Sequence, residues 1–135
     1  MITAVDTNVL IDVFGADLKF GDASASMLRR CLNEGAIMAC DVVWSETRAA
    51  FPSDIGFSEA MQVLGVEFSV LSVAAANLAG ANWKKYRAGG GRRERVMADF
   101  MIGAHAATQC DRLLTRDRVY YRKYFSNLVV LDPVG

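Results

Sequence analysis

The sequence has few of the residues that build disulfide frameworks and soft-metal sites. Its 135 residues include one histidine and three widely spaced cysteines, Cys31, Cys40 and Cys110, with no Cys-x-x-Cys pair. A disulfide scaffold uses an even set of cysteines, and a structural zinc site uses four Cys or His ligands. The sequence therefore argues against both classes, and we expect a reducing, cytoplasmic compartment.

Long apolar runs are also absent. No uncharged apolar stretch reaches about 18 residues, the length that a membrane-spanning helix needs. The first six residues have no basic flank, so we expect a strand there rather than a signal peptide. With 53 % hydrophobic and 22 % charged residues, the composition is that of a globular protein. The length suggests one domain, 1–135.

The formal net charge is zero, but the two halves of the chain differ in sign. Residues 1–83 carry four basic and ten acidic side chains, a net charge of −6. Residues 84–135 carry eleven basic and five acidic side chains, a net charge of +6. This asymmetry is compatible with an ordinary solvated surface. It also suits a basic rim that binds a polyanion.

The hydrophobic periodicity alternates between strands and helices along the whole chain. This order predicts an α/β fold, a three-layer sandwich around a mainly parallel sheet of about five strands. Strands are expected at 2–5, 36–40, 66–71, 112–115 and 128–131, and helices at 7–14, 23–34, 42 to the break near Pro52, 58–64, 73–87, 92–109 and 119–125.

Several local features are predicted within these elements. Asp22, Asp41 and Ser72 are expected to cap the helices that follow them. Phe68 and Val70 are expected to face the core from the third strand. In the helix at 92–109, a buried stripe is expected at the helical spacing of Val96, Phe100, Gly103 and Ala107.

Four acidic residues occupy equivalent places in this pattern. Asp6 and Asp117 each follow a strand, and Glu46 and Asp99 lie early in helices. Ligands of open α/β sheets bind at the carboxyl ends of the strands, so the four carboxylates are expected to converge there. Such a cluster needs a cation, and oxygen-only ligands suit Mg²⁺ or Mn²⁺.

Each acid also has an ordinary alternative role. Asp6 and Asp117 are residues that commonly cap helices or form turns, and Glu46 is typical of a solvated helix face. Asp99 is flanked by Met97 and by apolar residues on both sides, and a carboxylate in such surroundings needs a partner. The convergence of the four therefore matters more than any one of them.

These residues resemble the motifs of PIN-domain nucleases, and in particular the VapC-type toxins of bacterial toxin–antitoxin pairs. The match spans nearly the whole chain, and its least distinctive part surrounds Glu46. The similar segments are Asp-Thr-Asn-Val-Leu-Ile-Asp at 6–12, Ser-Glu at 45–46, Ala-Asp-Phe-Met-Ile-Gly-Ala-His-Ala at 98–106, Leu-Leu-Thr-Arg-Asp at 113–117 and Val-Leu-Asp-Pro at 130–133.

The resemblance implies a Mg²⁺- or Mn²⁺-dependent endoribonuclease. It implies that Asp6, Glu46, Asp99 and Asp117 are catalytic acids that bind the metal, while Asn8 and Thr115 orient them. It also implies a homodimer and a cognate antitoxin protein, for which the apolar helices between residues 7 and 64 offer a groove.

Basic residues near these acids are candidates for holding the RNA substrate. Arg92 and Arg93, with Arg95, follow a Gly-Gly-Gly loop at 89–91, and Arg116 lies beside Asp117. Arginine is well suited to phosphate because it offers several donors and a permanent charge. These arginines are also compatible with ordinary surface positions.

Three other functions stay open. A phosphatase of the haloacid dehalogenase type also has an acid after its first strand, but it needs Asp-x-Asp where this chain has Asp6-Thr7-Asn8. A non-catalytic PIN-like binding module would have lost an acid, yet all four are present. A DNA-directed nuclease differs only in its substrate, because the metal site does not choose the sugar.

Overall fold

The computed structural model of the chain describes residues 1–90 and 95–134. In these residues, five strands alternate with helices, as the sequence predicts. The elements are β1 (Ile2–Val5), α1 (Thr7–Phe14), α2 (Gly21–Glu34), β2 (Ala36–Cys40), α3 (Asp41–Arg48), α4 (Asp54–Leu64), β3 (Val66–Ser69), α5 (Val73–Ala88), α6 (Met97–Gln109), β4 (Arg112–Leu114), α7 (Arg118–Tyr124) and β5 (Val130–Leu131).

The five strands form one parallel sheet in the order β3-β2-β1-β4-β5. The α/β fold class is therefore confirmed. The chain adds β2 and β3 on one side of β1 and then adds β4 and β5 on the other side. The order reverses between β1 and β4, and this switch point is where an open sheet leaves a crevice for a ligand.

Side-chain caps set the starts of several helices. The Ser72 hydroxyl accepts a hydrogen bond from Ala75 N at 3.1 Å, as predicted. Ser53 caps α4 in the same way, so that helix begins earlier than expected. The prediction for Asp22 is wrong, because α2 begins at Gly21 and Asp22 lies inside its first turn. Asp41 is likewise the first residue of α3 rather than its cap.

The predicted inward face of β3 is wrong. Phe68 is 50 % exposed and Val70 is 65 % exposed, whereas Val66 is buried. The reason is that β3 lies at an edge of the sheet and ends at Ser69. Phe68 instead packs edge-on against Trp44, with ring centroids 5.2 Å apart.

Helix α6 is shorter than the predicted helix at 92–109, and more of its surface is buried than one apolar stripe would cover. It begins at Met97, and Val96 is exposed just before it. Ala107 is exposed as well, while Phe100 and the turn from 102 to 106 are buried. Helix α6 packs against α5, α3 and two strands of the sheet, so most of its circumference is covered. One apolar stripe is therefore too narrow a description of it.

Phe100 is the centre of an aromatic cluster that joins α5, α6 and α7. It lies 5.4 Å from Tyr86, 5.6 Å from Tyr120 and 5.8 Å from Tyr124, measured between ring centroids. Rings at these separations contribute beyond the area that they bury. The cluster fixes α7 directly behind the carboxyl end of β4.

No helix in the described part of the chain is long and apolar enough to cross a membrane.

Alanine substitutions at two helical glycines are expected to change the stability of the protein in opposite directions. A Cβ at Gly103 would lie 2.3 Å from Cε2 of the buried Phe125 ring, whereas a Cβ at Gly80 would meet nothing within 4 Å. We expect Gly103→Ala to lower the free energy of unfolding by about 1–3 kcal/mol through overpacking. Gly80→Ala should raise it by up to about 1 kcal/mol through helix propensity. Urea denaturation of both variants measures this, and a stabilised Gly103→Ala protein would contradict the packing.

Candidate active site

Asp6 lies at the switch point of the sheet, between the end of β1 and the start of α1. It is almost completely buried. Its Oδ1 accepts a hydrogen bond from Thr7 N at 2.7 Å, and its Oδ2 accepts one from the Thr115 hydroxyl at 2.8 Å. Asp6 therefore caps α1 and is held in one orientation by the loop that follows β4.

Thr115 and Asn8 connect Asp6 to that loop. The Thr115 hydroxyl also accepts a hydrogen bond from Asp117 N at 3.0 Å. Asn8 Nδ2 lies 3.4 Å from both Asp6 Oδ2 and Thr115 Oγ1, and Asn8 Oδ1 accepts from Arg116 N at 3.2 Å. Asn8 and Thr115 therefore contact the carboxylate of Asp6, and Thr115 also contacts the backbone of Asp117.

A further neighbour of Asp6 carries no signal in the sequence. The hydroxyl of the buried Tyr121 lies close enough to the Asp6 carboxylate to lower the pKa of that carboxyl. Tyr121 follows Asp6 by more than a hundred residues, and only the docking of α7 behind β4 brings the two together. A tyrosine in an aromatic helix carries no sequence signal that separates this contact from ordinary packing.

The electrostatics of Asp6 are unfavourable for a free carboxylate. Burial raises the pKa of Asp6 from its ordinary value of 3.8 to about 6. Hydrogen bonds from Thr115, Thr7 and Tyr121 oppose that rise, and the nearby charge of Asp99 adds to it. Asp6 and Asp99 therefore repel each other, which is the situation that a cation relieves.

Asp99 sits in the first turn of α6, at the same edge. It is partly buried, and its Oδ2 accepts a hydrogen bond from Val96 N at 3.0 Å. In the described part of the chain, neither Asp6 nor Asp99 forms an ion pair with a lysine or arginine. Among the described residues, Asp6 and Asp99 therefore have no ion-pair partner, and the same is true of Glu46.

Asp117 has a countercharge, supplied by Arg95. The guanidinium binds both carboxylate oxygens: Nη1 bonds Oδ2, and Nη2 lies 3.2 Å from Oδ1. The same guanidinium lies over the Tyr120 ring, with Cζ 4.1 Å from the ring centroid. Asp117 therefore forms an ion pair with Arg95, which lies in the segment just before α6.

Glu46 is the most exposed of the four acids. It is exposed on α3, and its Oε1 accepts a hydrogen bond from the Thr7 hydroxyl at 2.7 Å. Thr7 is the residue whose amide bonds Asp6, so one residue connects the two carboxylates. Glu46 borders the site without entering its buried part.

Arg116 forms a second ion pair, which the sequence analysis did not identify. Its Nε and Nη2 bond the two oxygens of buried Asp12 at 2.6 and 3.1 Å, and Ser24 bonds Asp12 at 3.0 Å. Its guanidinium also lies 4.1 Å from the ring centroid of Phe20. Arg116 therefore holds the loop after β4 against α1 and α2. Arg92 and Arg93 lie outside the described residues.

As they stand, the acids do not form a finished metal site. Within residues 1–90 and 95–134, no three acidic, histidine or cysteine side chains are grouped closely enough to hold a metal ion. The donors nevertheless fit a hard divalent cation, because they are all carboxylates and no described basic side chain forms an ion pair with buried Asp6 or partly buried Asp99. Glu46 and Asp117 border that pair but are bonded to Thr7 and Arg95.

Comparison with known proteins identifies the fold and the family. A family model described as the PIN domain matches residues 3–126. No curated protein has a sequence that matches this chain.

Solved structures with the same fold are distant in sequence, with 17–19 % identity. VapBC2 from Rickettsia felis bound to a promoter DNA fragment gives a TM-score of 0.75 with 98 % of each chain covered. VapBC-1 from nontypeable Haemophilus influenzae gives 0.73 with 100 % of each chain covered. A toxin–antitoxin complex from Klebsiella pneumoniae gives 0.66 with 97 % of each chain covered. At these identities the likeness establishes the fold.

The buried carboxyl of Asp6 predicts an unusual pH dependence of stability. Its pKa is higher in the folded protein than in the unfolded chain, so protonation stabilises the fold. This contribution is complete below the unfolded pKa and is lost as the pH rises through about 6. We expect that lowering the pH from 8 to 5, with EDTA present to remove metal, raises the free energy of unfolding by about 1 kcal/mol through this group.

Urea denaturation at the two pH values measures the gain. Asp6→Asn is the matched variant, because its side chain keeps the shape of Asp6 and does not titrate. The gain should disappear in that variant. An equal gain in the two proteins would show that another group is responsible.

Proposed function

This chain belongs to the PIN domain family, and we propose on that premise that it is a metal-dependent endoribonuclease and the toxin of a toxin–antitoxin pair. The observation that carries the proposal is the buried carboxylate of Asp6, which Thr115 orients and Asp99 repels. A protein keeps such a carboxylate at a switch point at a cost in stability. Binding a cation is a function that explains why this destabilising carboxylate is present.

The proposed cofactor is Mg²⁺ or Mn²⁺, held by Asp6, Glu46, Asp99 and Asp117. When bound, such a cation would lower the pKa of a coordinated water and neutralise charge on a phosphodiester. Asp6 and Asp99 are the natural first ligands, because no described basic side chain neutralises them. Glu46 and Asp117 join them by leaving the bonds that they now make.

The roles of the other residues follow from their contacts. Thr115 and Asn8 keep Asp6 in a fixed orientation, so little side-chain conformational entropy is lost when the site binds a metal ion. Asp99 or Asp117 orients the attacking water through a carboxylate oxygen. Arg116 is 28 % exposed, so its outer face remains open to a substrate phosphate while its inner face holds Asp12. Arg92 and Arg93 are proposed for the same task.

The charge distribution supports a polyanionic substrate. Residues 84–135 carry a net charge of +6, and they supply the end of α5, α6, α7 and the loop that carries Asp117. Basic residues beside an acidic pocket attract a nucleic acid while the pocket retains the metal. RNA is proposed over DNA because the resemblance to VapC-type toxins implies it.

An apolar groove supports the proposal of an antitoxin partner. It has a volume of about 430 Å³ and lies between the end of α1, at Val13 and Phe14, and one face of α4, at Gly56, Ala60 and Val63. Val63 is almost fully exposed. A groove of this kind receives the apolar face of a partner helix, and structures of the same fold are toxin–antitoxin complexes.

The exposed edge of the sheet supports the proposed homodimer. Phe68, Val70 and Val73 are all exposed at or beside β3, where they form an apolar patch that a second copy would cover. We keep the expected cytoplasmic compartment as part of the proposal, since Cys31, Cys40 and Cys110 are free thiols. Sedimentation velocity tests the dimer.

A cleavage assay tests the nuclease directly. The protein is incubated with a panel of RNAs and single-stranded DNAs, with Mg²⁺, with Mn²⁺ or with EDTA. We expect RNA cleavage only with metal, and we expect Asp6→Asn and Asp99→Asn each to reduce it by roughly 100-fold or more, the scale of losing one group that organises charge at a reaction centre. Asp22→Asn, an exposed acid of α2, is the matched control.

Other outcomes would identify a different function. Cleavage of DNA alone would mean a DNA-directed nuclease, and hydrolysis of phosphomonoesters alone would mean a phosphatase. Binding of RNA without cleavage under any metal condition would mean a binding module. Equal cleavage by the wild-type protein and Asp6→Asn would remove Asp6 from the mechanism.

A further inference from the structure

The hydroxyl of Tyr120 is a buried polar group that the proposed function leaves without a role. Tyr120 is 4 % exposed, and in residues 1–90 and 95–134 its hydroxyl has no hydrogen-bond partner. A buried hydroxyl without a partner lowers stability, because no hydrogen bond offsets the loss of its hydration. Unpaired groups of this kind are uncommon in folded proteins, so each calls for an explanation.

Packing does not supply that explanation. The Tyr120 ring contacts Phe100, Tyr121 and Tyr124, with centroids 5.6, 4.7 and 5.2 Å away. A phenylalanine ring would make the same contacts and would leave no orphaned hydroxyl. Core packing therefore explains the aromatic ring of Tyr120 but does not explain its hydroxyl.

The Tyr120 ring lies beside the Arg95–Asp117 pair of the carboxylate site. The Asp99 and Asp117 carboxylates and the Arg95 guanidinium are the charged groups that act on the Tyr120 hydroxyl. Arg95 lies on the face of the ring and bonds Asp117 at the same time. Tyr120 is thus the ring against which the Arg95–Asp117 pair rests.

Arg95 has donors that form no hydrogen bond within the described residues. A guanidinium carries five N–H groups, and the bonds to Asp117 account for one on Nη1 and one on Nη2. The side chain of Arg95 is 29 % exposed, so it borders solvent, where a ligand can approach it.

We propose that Tyr120 and Arg95 form a subsite for one phosphate group of the nucleic-acid substrate, with the Tyr120 hydroxyl donating to a non-bridging oxygen. This proposal rests on the proposed function, because the phosphate belongs to the nucleic acid that the proposed nuclease would cleave. A neutral hydroxyl donor beside a guanidinium favours an anion and disfavours a cation. The metal-binding carboxylates and the phosphate subsite are then neighbours that share Asp117.

The substitution Tyr120→Phe separates this subsite from ordinary packing, because it removes only the hydroxyl. If the hydroxyl has no partner in the free protein, the variant should be more stable than the parent, with a higher urea midpoint. If the hydroxyl binds phosphate, the variant should also bind RNA more weakly, by roughly 10-fold, as expected for one hydrogen bond to a charged group.

The experiment measures both quantities on an Asp6→Asn background, which keeps the RNA intact. Affinity for a single-stranded RNA is followed by fluorescence anisotropy. Tyr124→Phe is the matched control, since Tyr124 belongs to the same helix and contacts the same rings. It should leave RNA affinity unchanged. Higher stability together with weaker RNA binding by Tyr120→Phe supports the subsite.

Lower stability of Tyr120→Phe, or unchanged RNA affinity, would overturn the subsite. If the parent protein binds no RNA, the proposed function fails and the subsite is decided by titration with inorganic phosphate, followed by ³¹P NMR. Weaker phosphate binding by Tyr120→Phe than by Tyr124→Phe then supports the subsite. Equal binding by these two variants overturns it.

Discussion

The rest of this structure depends on one buried carboxylate, that of Asp6. It caps α1 through Oδ1 and fixes the loop after β4 through Oδ2, so it joins the two strands that flank the switch point. Burying a charge is costly unless the charge is compensated. Here three hydrogen-bond donors, from Thr7, Thr115 and Asn8, provide partial compensation. The shortfall, increased by Asp99, is what we interpret as the place for a cation.

The arginines support that interpretation by their positions. Arg95 neutralises Asp117, and Arg116 neutralises buried Asp12 while holding the loop that carries Thr115. In the described part of the chain, Asp6 and Asp99 have no such partner. None of the ion pairs among the described residues involves Asp6 or Asp99, so these two carboxylates remain available to a metal. The same arginines keep unused donors for a phosphate.

The sequence predicted the fold class and the edge of the sheet at which the acids lie, because strand–helix alternation and the position after a strand are local signals. It did not predict contacts that arise only when distant segments dock. Tyr121 reaches Asp6 through the packing of α7, and Asp12 meets Arg116 across more than a hundred residues. Phe68 was misassigned because a period of two along a strand does not show that the strand lies at an edge.

The most direct test of the central claim is a calorimetric titration of the protein with Mn²⁺. We expect the wild-type protein to bind the ion and Asp99→Asn to bind it at least roughly 10-fold more weakly, because one ligand of a carboxylate pair is lost. The exposed-acid variant Asp22→Asn should bind like the wild type. Equal Mn²⁺ affinity in the wild-type and Asp99→Asn proteins would contradict the account, since Asp6 and Asp99 would then not share a cation.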